Sequence, residues 1–362
     1  MMPDFKHIKF DNRNTEFVKS LRKKVNTYFK EKEISKHANY NMVIKTIVMI
    51  AIYFVPFGFI VSGTVESWWV NFIFWSLMGF GMAGIGMCVM HDANHGSYSK
   101  NKNINTILGY FIHLVGGSAT NWKLQHNVLH HTYTNVSGMD EDLESDPLMR
   151  FSPDQKLKKL HRFQHIYAWF LYSLMTISWS VDKDFSQLIR YRKKGLLSMQ
   201  RINFSKEMIF LICSKLFYYG YVLVLPLVFA TSWWSALTGY FIMHFIAGFV
   251  LAIVFQCAHV VENTEYPKIS NTGNLQHNMY AHQLFTTSNF ATKSRIFSWF
   301  IGGLNFQVEH HLFPNICHVH YKKISPIVKE TALEFGLPYN NFKTFLGALM
   351  CHTRHLKRLG TS

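Results

Sequence analysis

The sequence predicts an all-α integral membrane protein with four transmembrane helices, paired as two hairpins, and a cytoplasmic helical cap. Three observations predict it. Apolar residues gather in four runs, each long enough for a bilayer-crossing helix, which takes about 20 residues. Lys and Arg are absent from the two short turns that join these runs in pairs. Three tight histidine clusters and one single histidine stand outside the hairpin turns, on the side that holds the basic residues.

Length alone, at 362 residues, would suggest two or three soluble domains. Composition argues otherwise: 49% of residues are hydrophobic, 16% are charged, and 32 are Phe. The formal charge of +16 invites a nucleic-acid reading. The Lys and Arg flank the apolar runs, however, so the bilayer is the expected partner and nucleic acid is not.

Residues 1–40 form a polar, basic, cytoplasmic segment without a cleavable signal peptide. Within it, Leu21–Phe29 has helical character, and its charges fit a helix on the membrane surface or a solvated helix face equally. The membrane domain is expected over 41–325, with helices near 42–60, 68–90, 208–229 and 234–258. Lys45, near one end of the first helix, can snorkel to the interface. The hairpin turns, Val61–Ser67 and Thr231–Trp233, are bordered or occupied by Trp68, Trp69, Trp233 and Trp234, as in an aromatic belt. By the positive-inside rule the N-terminal segment, residues 91–207 and residues 259–362 are cytoplasmic, with 326–362 as a C-terminal tail. Residues 104–120, with Gly109, Gly116 and Gly117, read as interfacial or re-entrant. Residues 165–181 read similarly; a fifth span there would move the third histidine cluster across the membrane. Cys88, Cys213, Cys257, Cys317 and Cys351 form no CxxC pair and are expected to be free.

The clusters are His91-Asp-Ala-Asn-His95, His126-Asn-Val-Leu-His130-His131 and Gln307-Val-Glu-His310-His311, with His259 as the single histidine. Residues i and i+4 share a helix face, so His91 can converge with His95, and His126 with His130. Adjacent residues diverge by about 100° on a regular helix, so His130-His131 and His310-His311 suit two neighbouring ions better than one. A lone i, i+4 pair usually means nothing; three clusters on one predicted face point to metal. Structural zinc is four-coordinate and favours Cys, and catalytic zinc uses three protein ligands. So many neutral imidazoles suit a redox metal, iron first.

HDANH, HNVLHH and QVEHH resemble the three histidine boxes of the membrane fatty acid desaturase family. Gln307 with Leu312-Phe313-Pro314, the stretch Gln256–Asn263 and the stretch Gln283–Asn289 resemble its front-end acyl branch. The likeness covers about residues 40–325. It implies two iron ions (Fe2+) held by His91, His95, His126, His130, His131, His259, His310 and His311. In relatives with a histidine at the start of the third box that residue is a ligand; here it is Gln307, whose amide oxygen is a weaker donor, and direct ligation, action through water and a hydrogen bond to a ligand are its alternatives. The resemblance implies O2-dependent formation of a cis double bond toward the carboxyl end of an acyl chain carried by lipid, CoA or carrier protein. It also implies two external electrons. Since no His-Pro-Gly-Gly haem motif is present, a separate ferredoxin or cytochrome b5-like donor is expected, for which a basic surface is suited.

Asp92, Asn94 and Glu309 are candidates to orient imidazoles by accepting their distal N–H; the alternative is ordinary solvated polarity. The acidic run Asp140, Glu141, Asp142, Glu144 and Asp146 reads as a surface loop, with Arg150 as a pairing candidate. His282 is a reserve ligand. His113 and His244, in apolar stretches, read as buried hydrogen-bonded groups. His318, His320, Tyr321 and Lys322 read as surface or headgroup contacts. Competing functions are a di-iron acyl hydroxylase, a haem-binding electron carrier and a metal transporter. The carrier would need histidine pairs within the spans, and the transporter polar residues through the membrane core.

Overall fold

A computed structural model describes residues 8–143 and 147–362. It is mostly helical, and four helices are long and apolar enough to cross a membrane: Tyr40–Val61, Trp68–Asn94, Phe204–Phe229 and Trp233–His259. The second of these runs past the expected Met90, so the HDAN of the first cluster is its last turn. His259 is likewise the last residue of the fourth helix.

The chain forms two compact units. One comprises Tyr40–Leu124 and Trp169–Ala252 and holds most of the apolar helices. There Gly81 lies against the backbone of Tyr53, where an added Cβ would come within 2.7 Å of the Tyr53 nitrogen. A Cβ added at Gly79 would likewise come within 2.7 Å of the Met243 carbonyl oxygen. Lipid offers no hydrophobic drive for helix association, so close approach over small residues supplies the packing. Residues 104–120 break into short helices, Lys102–Gly109 and Phe111–Leu114, before a turn at Gly116 with φ +81°. The freed Gly116 carbonyl accepts from Lys215 Nζ at 2.6 Å. The same ammonium donates to the Trp179 carbonyl at 2.8 Å and to Asp184 Oδ2 at 2.6 Å. Irregular backbone in an apolar setting needs such partners.

The other unit gathers the N-terminal segment up to Asn39, Gln125–Ala168 and Ile253–Ser362. Its helix Thr15–Glu31 buries Phe17, Leu21, Val25 and Phe29, one residue per turn, in a core with Ile324, Val328 and Ala332. The apolar face of this helix is therefore taken up by protein. Two short parallel strand pairs, unforeseen in the sequence, join Lys9–Phe10 to Asn274–Leu275 and Ser288–Phe290 to Asn340–Phe342. Among the described residues, none of the five cysteines forms a disulfide.

Candidate metal centre

The second histidine cluster is not on a regular α-helix. Lys123–His130 is π-helical, and a π turn closes i onto i+5 rather than i+4. His126 and His131 are accordingly neighbours, with Nε2 atoms 3.3 Å apart. His131 Nε2 also lies 2.9 Å from His310 Nε2. Three imidazole nitrogens thus converge, although two ring N–H groups cannot point at one another. Lone pairs sharing a cation satisfy this geometry. His126 and His130 stack side by side, ring centres 5.2 Å apart, with their Nδ1 atoms 3.5 and 3.9 Å from Asp142 Oδ2.

His130 turns its Nε2 to a different group. Its ring centre is 4.7 Å from that of His259 and 4.9 Å from that of His311, and His259 and His311 are 4.7 Å apart. In all three rings Nδ1–H donates to an oxygen: His130 to both Asp140 oxygens at 3.0 Å, His259 to the Thr286 carbonyl at 3.3 Å, and His311 to Gln283 Oε1 at 2.9 Å. Donation at Nδ1 fixes the tautomer and leaves each Nε2 with a lone pair. The Nε2 atoms of His130 and His259 are buried and hydrogen-bond to nothing. Buried polar atoms are rarely left so, and each one calls for an explanation. A metal ion supplies it: the donor set fits, and His130, His259 and His311 would hold the ion.

His91 and His95, in the unit of apolar helices, sit with ring centres 4.8 Å apart, both edge-on to Trp122. Gln307 is buried at the start of the helix Gln307–Leu312, one turn before His310 and His311. Asp92 Oδ1 is 3.6 Å from His91 Nδ1. The Asn94 amide donates to the Gly109 carbonyl at 3.2 Å, and so ties down helix ends. Glu309 accepts from Tyr339 Oη at 2.7 Å and Asn289 Nδ2 at 2.8 Å. Burial raises its carboxyl above the usual range, and these bonds oppose that rise. Glu309 thereby anchors the helix of the third cluster to the strand Ser288–Phe290.

Two readings of the sequence need correction. Over its described residues 140–142 the acidic run is not a surface loop: Asp140 and Glu141 are buried, and Asp140 and Asp142 face the rings of the second cluster. A buried carboxylate is tolerated here because His130 and backbone amides satisfy it. Glu144 and Asp146 lie outside the described residues. Arg150 gives its guanidinium to the carbonyls of Pro153, Gln155, Leu359 and Ser362. Nor are His318 and His320 on the surface; both are buried, and His320 Nε2–H donates to the His37 carbonyl at 3.0 Å. Tyr321 Oη lies 3.2 Å from His310 Nδ1.

The other single histidines are hydrogen-bonded core residues. His282 donates from Nε2 to the Thr134 carbonyl at 2.9 Å and packs on Phe10; burial pushes its pKa down to about 4. His113 Nε2 accepts from the Ala119 amide at 3.4 Å. His244 uses both nitrogens, on Tyr218 and Thr176. For His130, burial works against the charged ring, but Asp140 outweighs it and raises the pKa. The sequence reading missed Asp140, Asp142, Gln283 and Tyr321 as partners of the rings. Carboxylates directly after a histidine cluster, in a chain with only 21 acidic residues, were the available signal.

Helices of membrane-crossing length, with buried imidazoles held open on one nitrogen, define a membrane protein with a histidine-rich site fit for a metal. A family model described as fatty acid desaturase matches residues 67–343. The chain belongs to the fatty acid desaturase family and is an oxidoreductase that introduces a double bond into an acyl chain. It is 35% identical to the sn-1 linoleoyl-lipid 6-desaturase of Arthrospira platensis, over 95% of this chain and 92% of that protein. Identity is also 35% with the Synechocystis sn-1 linoleoyl-lipid 6-desaturase, over 95% of each chain. The acyl-lipid (8-3)-desaturase of Physcomitrium patens is 36% identical, over 97% of this chain and 73% of that protein.

Proposed function

We propose that the chain is a di-iron, O2-dependent desaturase that places a cis double bond toward the carboxyl end of a lipid-linked acyl chain. The observation that carries the metal part is the pair of buried Nε2 atoms, on His130 and His259, whose rings are fixed by Nδ1 bonds. His130, His259 and His311 serve one iron. His126, His131 and His310 serve the other; His91 and His95 of the first cluster and Gln307 are further donor candidates. Iron bound there supplies O2 activation and removal of two hydrogens from adjacent methylenes. The balance is one –CH2–CH2– unit, O2, two electrons and two protons going to –CH=CH– and two waters.

This chain's residues hold the rings of His130, His259 and His311 by Nδ1 and keep water from them. His130 and His259 are both 0% exposed. Exclusion of water protects a strong oxidant from side reactions. The relatives' names, linoleoyl-lipid 6-desaturase and acyl-lipid (8-3)-desaturase, support a lipid-linked substrate. The Gln-initiated third cluster supports the front-end position. The electrons come from a separate ferredoxin or cytochrome b5-like carrier. The placing of Lys and Arg supports a cytoplasmic site and termini.

The test is expression in a host with a simple fatty acid profile, followed by gas chromatography and mass spectrometry of the methyl esters. New cis-unsaturated species with the double bond on the carboxyl side of existing ones are expected. Hydroxylated products alone would overturn the desaturase reading in favour of a hydroxylase.

A further inference from the structure

Asp140 is 1% exposed and is held from several sides. Its two oxygens accept from His130 Nδ1–H at 3.0 Å each, from the Asn135 amide at 2.9 Å and from the Asp142 amide at 3.1 Å. Asn135 has φ +61°, and its side-chain amide donates to the carbonyls of His259 and Glu265, both at 3.0 Å. The loop 135–142 therefore braces His130 and the end of the fourth apolar helix together. That is more than a solvated turn requires.

The three rings of this group have unlike supports. His259 rests on a peptide carbonyl and His311 on a side-chain amide, both neutral. His130 rests on a carboxylate. Asp142 is the looser carboxylate, 3.5 Å from His126 Nδ1 and engaged by the Gln125 amide. An anionic acceptor on the distal N–H makes an imidazole a stronger donor, and a stronger donor favours the oxidised metal.

We infer that Asp140 is a positioning residue that locks His130 as an Nε2 donor and, through it, lowers the reduction potential of the metal held by His130, His259 and His311. This rests on the reading that these histidines bind iron. The acidic run then has a purpose that a loop does not. It gives His130 of the second histidine cluster a charged support on its Nδ1.

The test uses the full chain, purified in detergent, loaded with Fe2+, and compared with Asp140→Asn and Asp140→Glu. Iron per chain, the midpoint potential from a spectroscopically monitored redox titration, and kcat and KM for the acyl lipid are measured. Asp140→Asn is expected to shift the potential upward and to lose roughly 10- to 100-fold in metal affinity or activity. The loss is expected in kcat, with KM unchanged. Full iron and an unshifted potential in Asp140→Asn would overturn the inference. So would a kcat loss at wild-type potential, which marks a merely structural role. Where Asp140→Asn does not fold, Asp140→Glu decides, because it keeps the charge. Retained iron with a near-wild-type potential supports the inference; a folded, iron-free Asp140→Glu overturns it. A wild-type chain that takes up no iron sinks the metal reading itself, and this outcome is distinct from the others.

Discussion

His244 and His130 are equally shielded from water, at 0% exposure, and differ in what their nitrogens do. His244, among the apolar helices, has both occupied: Nε2 with Tyr218 Oη at 2.8 Å and Nδ1 with Thr176 Oγ1 at 3.0 Å. His130, in the other unit, has Nδ1 on Asp140 and Nε2 on nothing. Lys215 follows the first pattern, with two carbonyls and a carboxylate for its three N–H bonds. A closed set of hydrogen bonds is what folding alone requires of a buried polar group. A ring anchored at one end and open at the other carries a cost that a ligand would remove. His113 and His282 also keep a buried Nδ1 without a hydrogen bond, so an open nitrogen marks a site only where such rings converge, as those of His130 and His259 do with His311.

The largest effect expected from breaking this contrast is on the open side. His130→Ala or His311→Ala should abolish desaturation and lower bound iron, read by metal analysis and ester chromatography. Full activity in either would refute the di-iron assignment. On the closed side, Lys215→Ala leaves Asp184 buried without its cation, which costs about 3–5 kcal/mol of stability. Its thermal midpoint should drop sharply while iron per folded molecule stays at the wild-type level; a selective loss of iron would erase the distinction drawn here. A smaller effect is expected at the margin of the site. Gln307→His should change activity several-fold if the amide lies beside iron, and an indifferent enzyme would place it away from the metals.

The smallest effect concerns pH. His282 and His352 are buried, and burial holds both pKa values down at about 4, against 6.5 for the free group. Above about pH 6.5 neither folded nor unfolded chain protonates them, and they leave stability unchanged. As pH falls from about 6.5 to about 4, the unfolded chain takes up protons that the folded chain refuses, so stability declines. His352→Gln should flatten that part of the midpoint-against-pH curve; an identical slope would show that other groups set it.

The apolar runs were legible because each contributes within its own segment, and the observed helices extend the expected bounds by a few residues. The helix Phe204–Phe229, for example, begins four residues before the expected Met208. The cluster histidines were legible by kind and count. Their grouping was legible only within a cluster, as for His91 with His95. The α-helical spacing pairs His126 with His130, and their rings do stack, but the π turn also brings His126 to His131, and His130 meets His259 and His311. The acidic run was misread because charge in sequence suggests solvent, and only the folded chain shows its histidine partner. The strand pair joining Ser288–Phe290 to Asn340–Phe342 has too few residues to leave a pattern.

By itself, then, the sequence determined the four apolar helices and the supply of imidazoles. Transfer into lipid sums over neighbouring residues, and a side chain's donor chemistry travels with it. Tertiary structure alone decided which nitrogen of each ring is held and which is left open. That choice is made by Asp140, the Thr286 carbonyl and Gln283, which are 10, 27 and 28 residues from the rings they fix. A histidine's tautomer follows the partner of its other nitrogen, and that partner is brought by folding.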